Sequence, residues 1–488
     1  MIHVHLMNRD SAFVLQDDRQ TARDAYLNDL LLPSVLDRIS EGDATVRSAA
    51  ASALLSPLKD AESIHYRQSA LKDCIWNPHL VRSLYLLAGE TLAAQQREDL
   101  RFYYSQTVSA QFQSCLSQLK LLINSLRTLR EFEELNSQRF SSSAFRGLFE
   151  RVAENFDEAF FTEADDLLKE LKFPRGMLIG AKLSGIGRIS EMRLLSENNC
   201  SDAIKNSSGV YQIESNDETG VSDFVHRRET VKCEANRILL RAVLHITDFF
   251  KSLHIEVAFY IACLNLIDRL TSKDISFCVP EISEGRTGSG LVELNMALCK
   301  EESIGNDFDL SKSHLCVITG ADQGGKTSFL ISVGQAQVLM QCGMPVGAKK
   351  FQAPIAAGVF THFQKVEDRT MRNGKLNEEL IRMSRIIDQI RPSSLMLFDE
   401  SFCSTNEREG SRIALDITHA LLATHIDIFS VTHLYSYAKT LYDESKPDYA
   451  FLCAERLDSG ARTKRIIPGE PLSTSFDLDI YNEVFEIQ

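Results

Sequence analysis

The glycine-rich segment Gly320-Ala-Asp-Gln-Gly-Gly-Lys-Thr327 constrains the fold of this chain more than any other feature of its sequence. Residues 314–319, which precede it, form a short apolar run with the length and composition of a buried strand. Residues 327–341 have helical periodicity and are followed by Gly343 and Pro345, which stop a helix. This order of strand, glycine-rich turn and helix matches the pattern G-x-x-x-x-G-K-[ST], so we predict a βα unit with a phosphate-binding turn.

The residue types in this segment suit the binding of a phosphate chain. Glycines allow backbone N–H groups to turn inward around phosphate oxygens, and the N-terminus of a helix adds partial positive charge. Lys326 is expected to reach the β- and γ-phosphates, and the Thr327 hydroxyl is expected to contact Mg²⁺. We therefore predict a site for ATP and Mg²⁺. Its expected nucleotide-binding residues are Gly320, Ala321, Asp322, Gln323, Gly324, Gly325, Lys326, Thr327 and Ser328.

Two further apolar runs end in side chains that suit phosphoryl transfer. Residues 395–398 are followed by Asp399 and Glu400. The run 426–432 is followed by His433. Asp399 is expected to hold Mg²⁺, mainly through water, while Glu400 polarises the attacking water and His433 contacts the γ-phosphate or holds that water. A solvent-facing acidic strand end and a structural histidine are the plain alternatives. The predicted catalytic residues are Glu400, His433 and Lys326, and the predicted metal ligands are Thr327 and Asp399.

The spacing of these runs also indicates the fold class. Helical stretches separate the three runs, which favours a parallel α/β sheet whose carboxyl edge carries the site. Residues 449–457 and 463–467 flank Asp458-Ser-Gly460, and this arrangement is a β-hairpin signal. We therefore assign residues 283–488 to a P-loop ATPase domain.

Residues 1–282 have the pattern of a mainly helical domain. Apolar residues recur at helical spacing through 90–135 and again through 231–270, with almost no Gly or Pro. Each stretch could form an unbroken lever on the order of 60 Å long, or belong to an ordinary helix bundle. Between them lies a small insert near 174–230, which we expect to contain a short β excursion. Its polar part is 196–221, and part of residues 196–225 is expected to be disordered.

Composition limits the classes of protein to which the chain can belong. The net charge of -14 argues against a surface that binds nucleic acid throughout, although a local basic patch remains compatible with it. The eleven cysteines include no C-x-x-C pair, which favours a reducing compartment over disulfides or a zinc site. We expect no secretory segment and no stretch long enough to span a membrane, hence a cytoplasmic protein without a membrane partner.

Several segments together resemble the MutS family. The resemblance is strong over 300–476 and weaker over 30–282. It includes the paired glycine before Lys326, the strand that ends in Asp399 and Glu400, and Val431-Thr-His433. It implies a helical core with lever arms, feeding an ABC-type ATPase domain that acts as a homodimer and binds DNA. It also implies that Asn306 contacts the nucleotide, since Ser303-Ile-Gly-Asn-Asp307 is similar to the family segment that packs near the adenine.

The chain also departs from the family pattern. No mismatch-reading domain is recognised before the core, and no nuclease domain or C-terminal helix-turn-helix is recognised. The family's Phe-x-Glu wedge is matched only by Phe132-Glu-Glu134 and Phe161-Thr-Glu163, which lie in predicted helices and are expected to be chance matches. The segment that carries the family's trans-acting Ser aligns with residues 374–379. That segment has no Ser, and Asn377 is a candidate replacement.

Two main hypotheses about function follow. The first is a MutS-like, DNA-dependent ATPase that binds and hydrolyses ATP as a dimer and binds DNA without mismatch specificity; whether mismatch repair is its pathway is left open. The alternative is a nucleotide-gated scaffold for a protein partner. A small-molecule kinase is a third option, in which long helical arms serve no obvious purpose. Basic residues available for DNA phosphates, or for solvent, are Arg127, Arg130, Arg139, Arg227, Arg228, Lys349 and Lys350.

Overall fold

A computed structural model describes residues 3–16, 25–102, 107–172, 179–183, 189–194, 218–299, 303–364, 374–457 and 462–472. The chain forms two compact units, each of which is described here by itself. The first, the helical unit, comprises Met1–Leu6, Asp10–Ala12 and Asn77–Val257. The second, the α/β unit, comprises Met7–Arg9, Phe13–Trp76 and Ala258–Gln488.

Four helices precede the helical unit along the chain and belong to the α/β unit. They are α1 (Ala25–Asp29), α2 (Leu32–Ile39), α3 (Ala44–Leu55) and α4 (Ala61–Trp76). The start of α3 is fixed by Asp43, whose carboxylate accepts hydrogen bonds from the backbone N–H groups of Thr45 and Val46. This cap satisfies donors that have no partner within the helix.

The helical unit contains four further helices before its two strands. They are α5 (Pro78–Phe102), α6 (Val108–Asn136), α7 (Ser143–Asn155) and α8 (Glu158–Glu170), with a 3₁₀ turn at Ser137–Arg139. Of the two alternatives for residues 90–135, an unbroken lever and an ordinary helix bundle, the structure shows the second, since α5 and α6 are separate helices. Thr107 accepts a hydrogen bond from the Ala110 N–H and begins α6, which packs against α5. Apolar spacing continues through both helices because each buries a face, so the spacing did not reveal the break.

The second stretch, residues 231–270, lies within one helix. Helix α9 (Glu218–Thr271) is 54 residues long, about 80 Å at the usual rise. The β excursion before it is confirmed, because β1 (Ile179–Leu183) and β2 (Ile189–Leu194) pair antiparallel. The end of the segment 196–225, part of which was expected to be disordered, is helical, since residues from Glu218 onward belong to α9. Residues 195–217 lie outside the described residues.

The α/β unit contains a six-stranded sheet that carries the predicted site. Its strands are β6 (Leu315–Thr319), β8 (Val359–Phe363), β9 (Leu395–Asp399), β10 (Asp427–Val431), β11 (Tyr449–Arg456) and β12 (Arg462–Pro468). The order is β12-β11-β6-β10-β9-β8, and all neighbours pair parallel except β11 with β12. The three predicted strands and the predicted hairpin are therefore confirmed. Because β6, β9 and β10 are parallel neighbours, their carboxyl ends meet at one edge.

A second, four-stranded sheet has the order β3-β7-β4-β5. Its strands are β3 (Glu281–Ile282), β4 (Arg286–Leu291), β5 (Asn306–Leu310) and β7 (Lys350–Ala353). The helices of this part of the chain are α10 (Leu294–Cys299), α11 (Lys326–Cys342), α12 (Lys375–Gln389), α13 (Glu407–Ala423) and α14 (Tyr435–Asp443). A mainly helical first part and a mixed α/β second part are thus confirmed.

Helix α11 follows the glycine-rich turn and is buried on almost every side. It ends at Gly343, whose left-handed φ of 74° closes the last turn, as the sequence indicated. Its buried glutamines bond to residues from distant parts of the chain. Gln335 donates to the Leu30 carbonyl and Gln341 donates to the Leu58 carbonyl, at 2.8 and 2.9 Å. These bonds help to explain why the first helices belong to the α/β unit. The domain boundary between residues 282 and 283 stays a prediction.

Candidate active site

The glycine-rich turn joins β6 to α11 and depends on residues that accept a left-handed backbone. Gly320 has a φ of 117° and Gly325 a φ of 93°, and Gln323 between them has a φ of 58°. A Cβ atom at Gly325 would lie 2.9 Å from the Lys464 carbonyl oxygen on β12. Glycine is therefore required at Gly325 both by its backbone conformation and by the close approach of a strand.

Lys326 lies at the first position of α11 with its ammonium held over this turn. Its side chain is only 5% exposed. The ammonium donates to the carbonyl oxygens of Gly320 and Ala321 at 2.7 and 3.1 Å. A buried cation needs such partners, because desolvation without them is costly. The turn thus holds a positive charge beside its own backbone N–H groups.

The predicted metal ligands are adjacent in the structure. The Thr327 hydroxyl donates to the Asp399 carboxylate across 3.0 Å, joining the start of α11 to the end of β9. Burial raises the pKa of Asp399 to about 6, and the hydrogen bond from Thr327 opposes that rise. A bound divalent cation would favour the ionised carboxylate. A hydroxyl and a carboxylate oxygen side by side are donors that suit Mg²⁺.

Glu400 and His433 form a pair at the ends of two neighbouring strands. The His433 Nε2 atom lies 2.9 Å from a Glu400 carboxylate oxygen. The hydrogen bond from His433 is the main reason why the pKa of Glu400 lies below its usual range. The same bond raises the pKa of His433. The pair therefore favours an ionised carboxylate beside a protonated imidazole.

Asp322 joins this cluster through its side chain, which the sequence did not indicate. Its carboxylate oxygen lies 2.9 Å from His433 Nε2 and 3.3 Å from the Lys326 ammonium. The sequence indicates Asp322 only as part of the phosphate-binding turn. The signal that was available is its charge, since an acid inside a phosphate-binding turn needs a cation nearby. Asp322, Glu400 and His433 each place one ligand atom so that the three atoms lie within 4.8 Å of one another. These three atoms are a donor set that could hold a metal ion.

Strand β12 connects Asn306 to the glycine-rich turn, because it contacts both. Its side-chain oxygen accepts a hydrogen bond from the Ile466 N–H at 2.8 Å, two residues from the Lys464 that contacts Gly325. Asn306 also lines a cavity of about 350 Å³, together with Ser303, Gly305, Lys349, Arg465 and others. The segment that resembles the family's adenine-adjacent segment therefore borders a cavity. The Ser328 hydroxyl donates to the Met296 thioether on α10.

The sequence also did not predict a polar network next to Glu400. Glu400 and Phe402 have positive φ values of 52° and 64°, which non-glycine residues rarely adopt. The buried Glu379 on α12 accepts a hydrogen bond from the Phe402 N–H at 3.0 Å. His362 on β8 bonds Ser401 at 2.7 Å. These contacts anchor Ser401 and Phe402, the two residues that follow Glu400. Asn377, on the same helix as Glu379, is exposed.

Two of the candidate DNA-contacting arginines of the helical unit pair with acidic side chains of the protein. Arg127 pairs with Asp165 at 3.1 Å, and Arg130 pairs with Glu133 and Glu134. Arg139 is exposed, as are Lys349 and Lys350 of the α/β unit. The side chains of Arg227 and Arg228 lie outside the described residues.

Both Phe-x-Glu matches lie in helices, as predicted: Phe132 is in α6 and Phe161 is in α8. The buried Phe161 ring lies under the Arg127 guanidinium at 4.9 Å. A core position of this kind is consistent with chance matches to the family's wedge.

The expectation about membrane spans needs a correction. In the described part of the chain one helical segment, Glu229–Thr271, is long and apolar enough to cross a membrane. Its most apolar window is 78% buried within the protein. The core helices of many proteins pass the same test, so this segment is weak evidence for a membrane span.

Comparison with known proteins gives matches on both parts of the chain. Residues 59–273 match the family model of the MutS2 N-terminal domain, and residues 316–473 match that of MutS domain V. Endonuclease MutS2 of Streptococcus equi subsp. equi is 29% identical over 168 residues, which is 31% of this chain and 22% of the relative. Endonuclease MutS2 of Streptococcus sanguinis is 26% identical over 201 residues, which is 40% of this chain and 26% of the relative. The matched region thus spans about a quarter of the length of these relatives.

Proposed function

Because the chain belongs to the MutS family, we propose that it is a DNA-associated ATPase whose active site lies at the carboxyl edge of the six-stranded sheet. One observation carries this proposal. Lys326, the Thr327–Asp399 pair and the Glu400–His433 pair meet at the ends of three neighbouring strands. Together they supply the charge neutralisation and positioning that phosphoryl transfer requires.

The glycine-rich turn binds the phosphates in this proposal. The backbone N–H groups of the turn and the N-terminus of α11 face the phosphate chain, and the Lys326 ammonium neutralises part of its charge. The cavity beside Asn306 receives the base. Mg²⁺, held by Thr327 and Asp399, would supply further charge neutralisation on the phosphate oxygens.

Glu400 and His433 act on the attacking water in this proposal. Glu400 is ionised at neutral pH, so its carboxylate accepts a hydrogen bond from that water and favours its alignment with the γ-phosphate. His433 holds the Glu400 carboxylate in place and adds positive charge where negative charge develops. The positive φ of Glu400 directs its side chain from the end of β9 toward this position.

The homodimer of the proposal forms through the ATPase domains. Helix α12 presents the exposed Asn377 near its N-terminus, and the buried Glu379 on the same helix accepts a hydrogen bond from the N–H of Phe402, two residues after Glu400. A partner protomer that contacts α12 would therefore lie next to the backbone that positions the general base.

We also propose a cytoplasmic location, since the ten cysteines in the described residues are free thiols.

The direct test of hydrolysis uses two substitutions with different expected effects. Lys326→Ala should remove ATP binding and turnover. Glu400→Gln should keep ATP binding and lower turnover by roughly 10²- to 10⁴-fold, the usual loss when a general base is removed. Steady-state phosphate release and equilibrium ATP binding measure both effects. Wild-type turnover no higher than that of either variant would exclude ATP hydrolysis as the function.

A scaffold for a protein partner is the second candidate, and specific observations favour it. The chain carries a net charge of -14, and Arg127 and Arg130 are already paired with carboxylates. Electrophoretic mobility shifts at low salt separate the two candidates when duplex, junction and single-stranded DNA are tested with and without ATP. DNA binding that weakens steeply with salt supports the DNA-associated ATPase. Lack of binding under every condition supports the scaffold.

A further inference from the structure

The carboxylate of Asp322 lies among the groups that the proposed function assigns to the terminal phosphate. It is 3.3 Å from the Lys326 ammonium and 2.9 Å from His433 Nε2. The Lys326 side chain is 5% exposed, whereas that of Asp322 is 43% exposed. A partly solvated acid therefore neutralises a buried cation and a second cationic group at the mouth of the turn.

These contacts are not needed to hold the turn or its cations in place. The turn is closed by the hydrogen bond from the Gly324 N–H to the Ala321 carbonyl. Lys326 keeps two carbonyl partners without Asp322, and His433 keeps Glu400. Asp322 thus adds a further contact to Lys326 and to His433, which already have other partners. These are the two cationic groups proposed to face the phosphate.

We infer that the Asp322 carboxylate competes with the terminal phosphate of a bound nucleotide. A nucleoside triphosphate must displace this carboxylate from Lys326 and His433 in order to bind. This inference rests on the proposed function of the site. Two like charges cannot share the same pair of cations without strong repulsion in a partly buried site. The exposure of Asp322 allows its side chain to move outward into solvent when the phosphate arrives. Asp322 is therefore a residue that sets affinity, and it weakens the binding of a triphosphate more than that of a diphosphate.

The test compares substitutions that separate charge from shape. Asp322→Asn keeps the shape of the side chain and its capacity to accept a hydrogen bond, but removes the charge. Asp322→Glu keeps the charge and lengthens the side chain. Asp416→Asn is the control, because it removes an exposed acid from α13 that pairs with Arg412. All variants are made in the full chain, and circular dichroism verifies their fold.

Equilibrium binding is measured with Mg²⁺ for ADP and for the nonhydrolysable analogue adenosine 5′-(β,γ-imido)triphosphate. We expect Asp322→Asn to bind the triphosphate analogue at least about tenfold tighter than wild type, with a gain for ADP of less than about threefold. Asp416→Asn should bind both nucleotides as wild type does, and Asp322→Glu should show no selective gain for the triphosphate analogue because it keeps the negative charge. If Asp322→Asn does not fold, Asp322→Ser carries the same expectation.

Two different failures can be told apart with Lys326→Ala. If this variant loses nucleotide binding while Asp322→Asn binds the analogue no more tightly than wild type, the inference about Asp322 is overturned and the proposed site stands. If Lys326→Ala binds both nucleotides like wild type, the proposed site itself is overturned and the inference with it. An equal gain for ADP and for the analogue also contradicts the inference, because the competitor then does not act on the terminal phosphate.

Discussion

Thr327 at the start of α11 donates a hydrogen bond to Asp399 at the end of β9, across 3.0 Å and 72 positions of sequence. The bond fixes the hydroxyl and the carboxylate as adjacent oxygen donors at the edge of the sheet. Asp399 is also the residue after which the backbone turns into the left-handed conformation of Glu400. The proposed metal ligands and the proposed general base are therefore positioned by the same strand end.

The first prediction concerns the Thr327 hydroxyl. Thr327→Val keeps the shape of the side chain but removes the donor to Asp399 and one oxygen ligand. We expect the Mg²⁺ concentration for half-maximal ATP turnover to rise by roughly 10- to 100-fold, as is typical when contacts that orient metal ligands are lost. Thr327→Ser keeps the hydroxyl and should stay close to wild type. A magnesium titration of ATP turnover measures the shift, and identical curves for all three proteins would contradict the assignment.

The second prediction concerns the backbone of the glycine-rich turn. Gly325→Ala places a Cβ atom 2.9 Å from the Lys464 carbonyl in a left-handed conformation. We expect a loss of about 2–4 kcal/mol in the free energy of unfolding, together with weaker ATP binding. Gly374→Ala is the control, because Gly374 has a φ of -62° and none of the described residues has an atom within 4 Å of the added Cβ. That variant should change stability by less than about 1 kcal/mol. Urea denaturation and nucleotide titration measure the two effects, and equal losses in both variants would exclude the steric explanation.

The third prediction concerns Glu379, which positions the backbone beside Glu400 and does not touch the reacting atoms. Glu379→Ala leaves the Phe402 N–H without its acceptor, so we expect a stability loss of about 1–3 kcal/mol. Because Glu400 is then less well oriented, kcat should fall by about tenfold while KM for ATP changes little. Glu379→Gln keeps an acceptor oxygen and should recover most of kcat. The control is Asp388→Ala, which removes an exposed acid from the same helix.

A purely structural role for Glu379 makes a different prediction. Thermal melts then show the loss of stability, while kcat per folded molecule stays at the wild-type value for Glu379→Ala. Steady-state kinetics well below the melting temperature of the variant distinguish the two roles. Equal kcat values for wild type and Glu379→Ala under that condition would remove Glu379 from the positioning network.

The sequence predicted best those parts of the site that depend on local order. Strands β6, β9 and β10 were found because short apolar runs ended in polar or charged residues, and parallel neighbours bring such ends together. The carboxylate of Asp322 and the Glu379–Phe402 contact were missed. The second of these depends on a bond between residues that are 23 positions apart, which periodicity cannot show. The break at Thr107 was missed because α5 and α6 both continue the apolar spacing.

The last prediction concerns pH and lies away from the metal ligands. Glu407 at the start of α13 accepts hydrogen bonds from the Ser436 N–H at 2.8 Å and from the hydroxyls of Ser436 and Ser411. The bond from the Ser436 N–H is the main reason why the pKa of Glu407 lies below its usual value. A lowered pKa in the folded state contributes stability above the unfolded pKa, and this contribution is lost as pH falls through the folded pKa.

Because Glu407 is exposed, Glu407→Gln should lower the free energy of unfolding at about pH 7 by only about 1 kcal/mol. This loss should shrink below about pH 4. Urea denaturation at both pH values, with Asp416→Asn as the control, measures the difference, and a cost that is independent of pH would show that the charge of Glu407 does not matter.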